Sequence, residues 1–424
     1  MTGAPPCLTP AKGGRVLMIA YHYPPMRGSS GIQRTLSFAR HLPHAGWLPT
    51  VLSASRCAYD NPSDEPLNDN DDMVHRSFAL DASRHLALCG HYPLLLAQPD
   101  RWISWWLSAV PAGLRLIRRQ RPDIIWSSYP IATAHLIALT LHRLTGVPWV
   151  SDQRDPLLDT GYPANLRTRS IHRWLERNTV QHSAAIVCTT PGAIRASQQR
   201  HPSVDGARFH LIGNGYDADS FSALPPTTRA PRTQFRLLHS GLIYPSERDP
   251  RALFAALRHL LRDGAINAAD FRLVLRASGH DDVLARLIEQ HRIGAIVELA
   301  PALSYRAALA EMLDADGLLL LQAANCNHQI PAKLYEYLRA RRPVLALTDP
   351  AGDTAAALRQ AGIDTIGTLA DASDIAAALR RFLQLCRAAQ APLASDATIA
   401  LHSRAARTLE LAALFDQVRR KVTP

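Results

Sequence analysis

Asn327-His328-Gln329-Ile330-Pro331-Ala332-Lys333-Leu334-Tyr335-Glu336-Tyr337-Leu338 is the stretch on which the fold turns; Arg339-Ala340-Arg341-Arg342 and the run Pro343-Val344-Leu345-Ala346-Leu347 follow it. Pro331 predicts a helix start there, because its missing N–H costs nothing at the first helical position. Leu334 and Leu338, four residues apart, predict a shared buried face. Glu336 is then left pointing elsewhere. A helix N-terminus offers free N–H groups and a partial positive charge, which suit a pyrophosphate. A carboxylate one turn further along can take the two vicinal hydroxyls of a ribose. On spacing alone, a surface helix with a Lys333–Glu336 pair competes with that reading.

The surroundings repeat a strand–helix alternation. Gly317-Leu318-Leu319-Leu320-Leu321 predicts a fully buried strand delivering the chain into the stretch, and Val344 to Leu347 predicts the next one. Upstream, Phe235 to His239, Phe271 to Leu275 and Ile296 to Leu299 read as further strands. After the first of these, Ser240-Gly241-Leu242-Ile243-Tyr244 forms a loop, and Arg248-Asp249-Pro250 opens a helix through Leu253 and Leu257. Arg248 at that loop-to-helix junction is a candidate to neutralise a phosphate, against an ordinary solvated loop arginine. The Pro-rich Ala223-Leu224-Pro225-Pro226-Thr227-Thr228-Arg229-Ala230-Pro231 is the clearest linker in the chain.

The same alternation fills the first half. Val16-Leu17-Met18-Ile19-Ala20 predicts a buried parallel strand, and the loop Arg27-Gly28-Ser29-Ser30-Gly31 opens a helix carrying Leu36, Ala39 and Leu42. Further strands are expected at 50–53, 123–128, 147–152 and 184–188. Arg154 and Asp155 thereby fall at a strand's carboxyl end, where open α/β sheets bind ligands. His135 follows a strand–loop junction and is weighed equally as a crevice residue and as an ordinary helix residue. Residues 60–72 are acidic and read as a surface excursion. Trp102, Trp105 and Trp106 precede a helix bearing Arg115, Arg118, Arg119 and Arg121. That pattern suits either packing against the domain or docking on an anionic membrane.

Length sets the domain count: 424 residues exceed one ordinary core. The expected division is a tail over 1–14, an N-terminal domain over 15–224, a linker over 225–232 and a C-terminal domain over 233–394. A C-terminal helix over 395–424, with Leu401, Ala405, Leu409 and Leu414 on one face, is expected to return to the first domain. A net charge of +11 favours anionic partners such as nucleotides or lipid headgroups. Nucleic acid is the weaker choice, because the arginines are scattered and no nucleic-acid-binding signature appears. The six cysteines lie far apart with no Cys-x-x-Cys, which argues against a zinc site and for a reducing compartment. No signal peptide and no membrane-spanning run is seen, so the expected place is the cytoplasm, with peripheral contact at the inner membrane face left open.

Several landmarks then fall in order: Tyr21-His22-Tyr23-Pro24-Pro25 with Gly31, Pro122-Asp123-Ile124-Ile125, and Val147-Pro148 with Asp152-Gln153-Arg154-Asp155-Pro156. Gly213-Asn214-Gly215-Tyr216-Asp217 with Phe221, Gly241 with Arg248, and Ile330 to Leu338 complete the series. Together they resemble the family 4 retaining glycosyltransferases, in particular a bacterial branch associated with surface polysaccharides. The resemblance runs from about Arg15 to the C-terminal helix.

What the resemblance implies is an α/β GT-B architecture: two doubly wound Rossmann-like domains facing a central cleft. It also implies a nucleotide-sugar donor in the C-terminal domain, a sugar or lipid-linked glycan acceptor in the N-terminal domain, and neither metal nor cofactor. Glu336 matches the second glutamate of the family's Glu-x7-Glu motif, which holds the ribose hydroxyls. Arg248 matches a diphosphate-contacting lysine, and Gly31, beside Ser30, matches the glycine loop near the phosphates and acceptor. The donor site then comprises Glu336, Arg248, Gly241, His328, Ile330, Pro331, Ala332 and Lys333. Arg154, Asp155 and His135 are the candidate catalytic wall facing the sugar.

Three positions depart from the pattern: His328 stands at the first glutamate, Leu242 at an arginine and Arg154 at a histidine. The closer branch also lacks that first glutamate and writes Asp-x-Arg-Asp-Pro. The rival functions are a nucleotide-sugar epimerase of the same fold and a catalytically inactive binding or scaffold protein.

Overall fold

The computed structural model describes residues 13–26, 30–60, 62, 73–87, 91–159, 161–224 and 232–422. The tail over 1–12, most of the acidic excursion and the Pro-rich stretch 225–231 lie outside the described residues. The chain forms two compact units, residues 1–213 with 404–424, and residues 214–403. The division therefore falls at Gly213–Asn214 rather than at residue 224.

The first unit carries strands β1 (Gly14–Ile19), β2 (Trp47–Ala54), β3 (Val74–Ser77), β4 (Ile124–Ser128), β5 (Trp149–Gln153), β6 (Ala185–Cys188) and β7 (Phe209–Leu211). They form one parallel sheet in the order β3-β2-β1-β4-β5-β6-β7. The strand interiors are apolar on both faces because helices cover both faces, and Trp47, Trp105, Trp126 and Trp149 are fully buried. The chain steps outward from β1 to β3 and then returns to place β4 on the other side of β1. That reversal opens a crevice beyond the carboxyl ends of β1 and β4.

The second unit repeats the plan with β8 (Phe235–Ser240), β9 (Phe271–Arg276), β10 (Val297–Ala300), β11 (Gly317–Leu321), β12 (Val344–Leu347) and β13 (Ile366–Gly367). Its parallel order is β10-β9-β8-β11-β12-β13, so the reversal lies between β8 and β11. Leu318, Leu319, Leu320 and Leu321 are all buried, two toward each helical layer.

Two expectations are corrected. The C-terminal helix is not continuous: Asp396–Leu401 belongs to the second unit, and Arg404–Val422 belongs to the first. Between them, turns at His402 and Ser403 close onto Ile399 and Ala400, while Tyr216 N–H donates to the His402 carbonyl at 3.1 Å. The buried face of the last helix is Leu411, Ala412, Leu414, Phe415 and Val418, whereas Leu401 and Leu409 are exposed. Its return to the first unit is fixed by Trp47, whose ring lies 5.1 Å from Phe415 and whose indole N–H donates to Asp416 at 3.2 Å.

The tryptophan cluster also resolves. Trp105 donates to Ser77 at 2.9 Å, Trp106 to Thr140 at 3.0 Å, and the Trp102 ring sits 4.7 Å from Tyr21. Trp105 is fully buried, and Trp102 and Trp106 are half-buried against the same core. Arg115, Arg118 and Arg119 are exposed on the same helix, Ser104–Gln120. Among the described residues no helix is long and apolar enough to cross a membrane.

Candidate active site at two strand-end crevices

In the second unit the site begins where β8 ends. Gly241 has φ +115°, a conformation that side chains disfavour, and a Cβ there would lie 3.0 Å from Lys333 Nζ. The loop beyond it is tightly folded. Arg248 N–H donates to the Tyr244 carbonyl at 2.8 Å, and the Arg248 guanidinium donates to the Leu242 carbonyl at 2.7 Å while lying 5.4 Å from the Tyr244 ring centre. Ala323 N–H donates to the Glu247 carbonyl at 2.7 Å and the Asn325 amide to the Ser246 carbonyl at 2.9 Å, joining the β8 and β11 loops. Gln322 then shapes the β11 loop by donating to the carbonyls of Cys326 and Gln329.

The helix expected from Pro331 runs over Lys333–Ala340. Pro331 and Ala332 instead form the turn before it, their carbonyls accepting from Leu334 N–H at 2.9 Å and Tyr335 N–H at 3.2 Å. Leu334 and Leu338 are buried as expected, and so are Tyr335 and Tyr337. The Tyr337 hydroxyl accepts from Ser240 N–H at 3.1 Å, tying the helix to the end of β8. Glu336 faces away from these and accepts from the Tyr305 hydroxyl at 2.9 Å. Ile330 packs on the core, and His328 is half-buried in the loop before the helix.

Lys333 does not make the surface pair with Glu336. Its ammonium turns toward β8 and lies 3.3 Å from His239 Nε2, while His239 Nδ1 lies 2.9 Å from the Leu319 carbonyl. Burial brings the Lys333 amine down to about 7; nearby Arg248 adds to the effect and Glu336 opposes it. Among the described residues neither Lys333 nor Arg248 has a carboxylate within ion-pair distance. Lys333 and Arg248 thus place two cations close to Gly241 at the end of β8, an arrangement with the charge to receive an anion.

Gly241→Ala is expected to lower stability by about 1–3 kcal/mol through the disfavoured backbone. Because all seven tryptophans lie in the first unit, the loss should appear in far-ultraviolet circular dichroism and not in tryptophan emission.

In the first unit, Gly31 lies in the opening turn of the helix Ser30–His41. A Cβ at Gly31 would overlap Arg154 Nη1 and lie 2.7 Å from His22 Nδ1, so glycine lets both side chains close over the helix start. The side chain of Ser30 lies outside the described residues. Arg154 donates to the half-exposed Asp155 carboxylate at 2.8 Å. Burial, reinforced by Arg154 and opposed by Asp155, brings His22 down to about 3, so it is neutral. Beneath them Arg34 clamps Asp152 with paired bonds of 2.9 and 2.8 Å and donates to the Ile212 and Gly213 carbonyls.

His135 is a correction. It is fully buried, with Nδ1 2.8 Å from Ser127 Oγ and its ring 5.9 Å from Trp149, and burial brings it down to about 3. It belongs to the core between helix Ala132–Thr145 and the sheet, with no open face toward a ligand. His22 and His239 are the residues that sequence reasoning did not single out as site members. His239 is the last-but-one residue of β8 and His22 lies three residues beyond the end of β1, and each of these strands flanks a topological reversal, which is the signal that marks them.

Residues 30–215 match the family model described as a glycosyl transferase 4-like domain. No curated protein sequence matches the chain. Sucrose-phosphate synthase from Thermosynechococcus elongatus superposes with a TM-score of 0.69 at 15% identity, over 96% of this chain and 100% of that one. The fold is GT-B. Trehalose 6-phosphate synthase from Burkholderia multivorans has a TM-score of 0.64 at 13% identity, covering 97% and 100%. HepE of Anabaena, solved in complex with UDP, has a TM-score of 0.60 at 12% identity, covering 96% and 98%. The domain match and the shared architecture together support a GT-B glycosyltransferase, and the crevices at β1/β4 and β8/β11 are the strand-end crevices of its two GT-B sheets.

Proposed function

We propose that the protein is a retaining glycosyltransferase of surface polysaccharide or glycolipid assembly. It moves a sugar from a nucleoside-diphosphate sugar to a hydroxyl of a sugar or lipid-linked glycan acceptor. The observation that carries this reading is the convergence of Lys333 and Arg248 beside Gly241, without a carboxylate partner, at the β8/β11 reversal. The UDP bound by the similarly folded HepE supports a nucleoside-diphosphate donor.

In this reading the two cations receive the diphosphate and Glu336 receives the ribose hydroxyls. The bond from the anomeric carbon to the diphosphate oxygen breaks, and the acceptor oxygen bonds to the same face. The leaving oxygen takes the acceptor's proton. Lys333 and Arg248 stabilise the charge that develops on it, so no metal is assigned. Gly31, Arg154 and Asp155 serve the acceptor side, whereas the buried His135 is given no part. The reading places the enzyme in the cytoplasm, and the exposed arginines of helix Ser104–Gln120 are the basic surface available for contact with anionic lipid.

The test is product analysis with a panel of nucleoside-diphosphate sugars and acceptors. Release of nucleoside diphosphate that depends on the acceptor is expected. Free epimerised sugar formed without acceptor, or binding without turnover, would remove the transferase reading. Glu336→Ala should weaken donor binding by about 1–3 kcal/mol through lost charged hydrogen bonds, read by calorimetric titration of the folded variant.

A further inference from the structure

His239 is the last-but-one residue of β8 and is fully buried, yet it is the residue that Lys333 approaches. A carbonyl can only accept, so the Leu319 carbonyl 2.9 Å away assigns the imidazole proton to Nδ1. Nε2 then carries a lone pair and faces the Lys333 ammonium at 3.3 Å. An ammonium has three hydrogens on a flexible stem and no preferred direction of its own. The acceptor at Nε2 supplies one.

We propose that His239 is a positioning residue for Lys333: locked in one tautomer by the Leu319 carbonyl, it holds the ammonium over Gly241, where Lys333 and Arg248 together meet the donor diphosphate. This rests on the nucleotide-sugar reading of the same site. The groups around the pair fit the role. Burial, followed by Lys333 itself, holds the imidazole well below its ordinary range, against the opposing Leu319 and Gly241 carbonyls and with Arg248 assisting. An imidazole that stays neutral accepts from a cation and does not repel it. Glu336 is the carboxylate on the Lys333 side, and the Tyr337 hydroxyl is engaged with Ser240 N–H. The helix of Lys333 and the strand of His239 are 94 residues apart in the chain, so the pairing exists only in the folded unit.

Two variants separate the parts of the pairing. His239→Asn retains a donor for the Leu319 carbonyl but is too short to reach Lys333. His239→Gln retains an acceptor near the Nε2 position. In ligand-free full-length protein, the pH midpoint for acylation of Lys333, read by peptide mass spectrometry, should fall by about one unit in His239→Asn and stay near wild type in His239→Gln. Inorganic pyrophosphate and UDP should bind about tenfold more weakly to His239→Asn, with His239→Gln restoring most of the loss. An unchanged Lys333 midpoint in folded His239→Asn overturns the proposal. A midpoint that moves while wild type binds neither pyrophosphate nor any nucleoside diphosphate overturns the donor reading and leaves the His239–Lys333 pairing standing.

Discussion

Arg34→Leu is expected to destabilise the first unit by about 3–5 kcal/mol, because it leaves a buried carboxylate without its counter-charge. Asp152 has no exposed surface and Arg34 is 6% exposed, so water cannot replace the lost partner. Ser128 Oγ remains within 3.2 Å of the carboxylate but offers one neutral hydrogen bond in place of the paired guanidinium contacts. Arg34 also ties the helix Ser30–His41 to the carbonyls of Ile212 and Gly213, so the loss spreads from β5 to the chain beyond β7. The measurement is urea unfolding followed by tryptophan emission, which reads the first unit alone. Arg34→Leu combined with Asp152→Leu removes both charges and should recover a large part of the loss. A single variant that loses less than about 1 kcal/mol would place the pair among weakly contributing ion pairs.

Lys333→Met is expected to act in opposite directions on binding and stability. Charged hydrogen bonds are worth about 1.5–3 kcal/mol, so affinity for a nucleoside diphosphate should fall roughly ten- to hundredfold. Stability should hold or rise, because an enclosed ammonium without a carboxylate is replaced by an apolar chain of similar length. The pH dependence follows from the direction of the shift. The Lys333 amine is held at about 7 in the folded protein against an ordinary 10.5, so between those values the unfolded chain binds more protons. Its destabilising effect is therefore fully present below pH 7 and is relieved as the pH rises from 7 toward 10.5. The stability difference between variant and wild type should shrink across that window. In the same window diphosphate binding to wild type should take up a proton, visible as buffer-dependent binding heat. A pH-independent stability difference would remove the assignment of an enclosed, titrating lysine.

Much of the architecture was legible because buried parallel strands leave an unmistakable apolar run. Val16 to Ile19, Ile124 to Trp126 and Leu318 to Leu321 are such runs, and each is a central strand. The three strands not read from the sequence, β3, β7 and β13, all lie at sheet edges. Val74-His75-Arg76-Ser77 is largely half-buried and polar, and Ile366–Gly367 is two residues long. A strand paired on one side needs less apolar surface and so writes less of itself into the chain.

The candidate site divides along a similar line. Gly241, Arg248, Lys333 and Glu336 were recognisable from their positions in a βα repeat and from family resemblance. His135 was not decidable, because a helix residue next to a strand end faces the crevice or the core according to helix phase, and here Ser127 and Trp149 receive it.

By itself the sequence determined two alternating βα halves, the glycine at the end of β8 and the carboxylate on the helix after β11. Those depend on apolar run length, turn chemistry and local spacing, which are properties of neighbouring residues. Only the tertiary structure decided that Lys333 turns to His239 instead of Glu336, that His22 and Arg154 close over Gly31, and that the chain breaks at His402–Ser403 before the last helix rejoins the first sheet. Each of those outcomes depends on how a helix is rotated against a sheet and which strands lie side by side, and that geometry is set by packing between residues far apart in the chain.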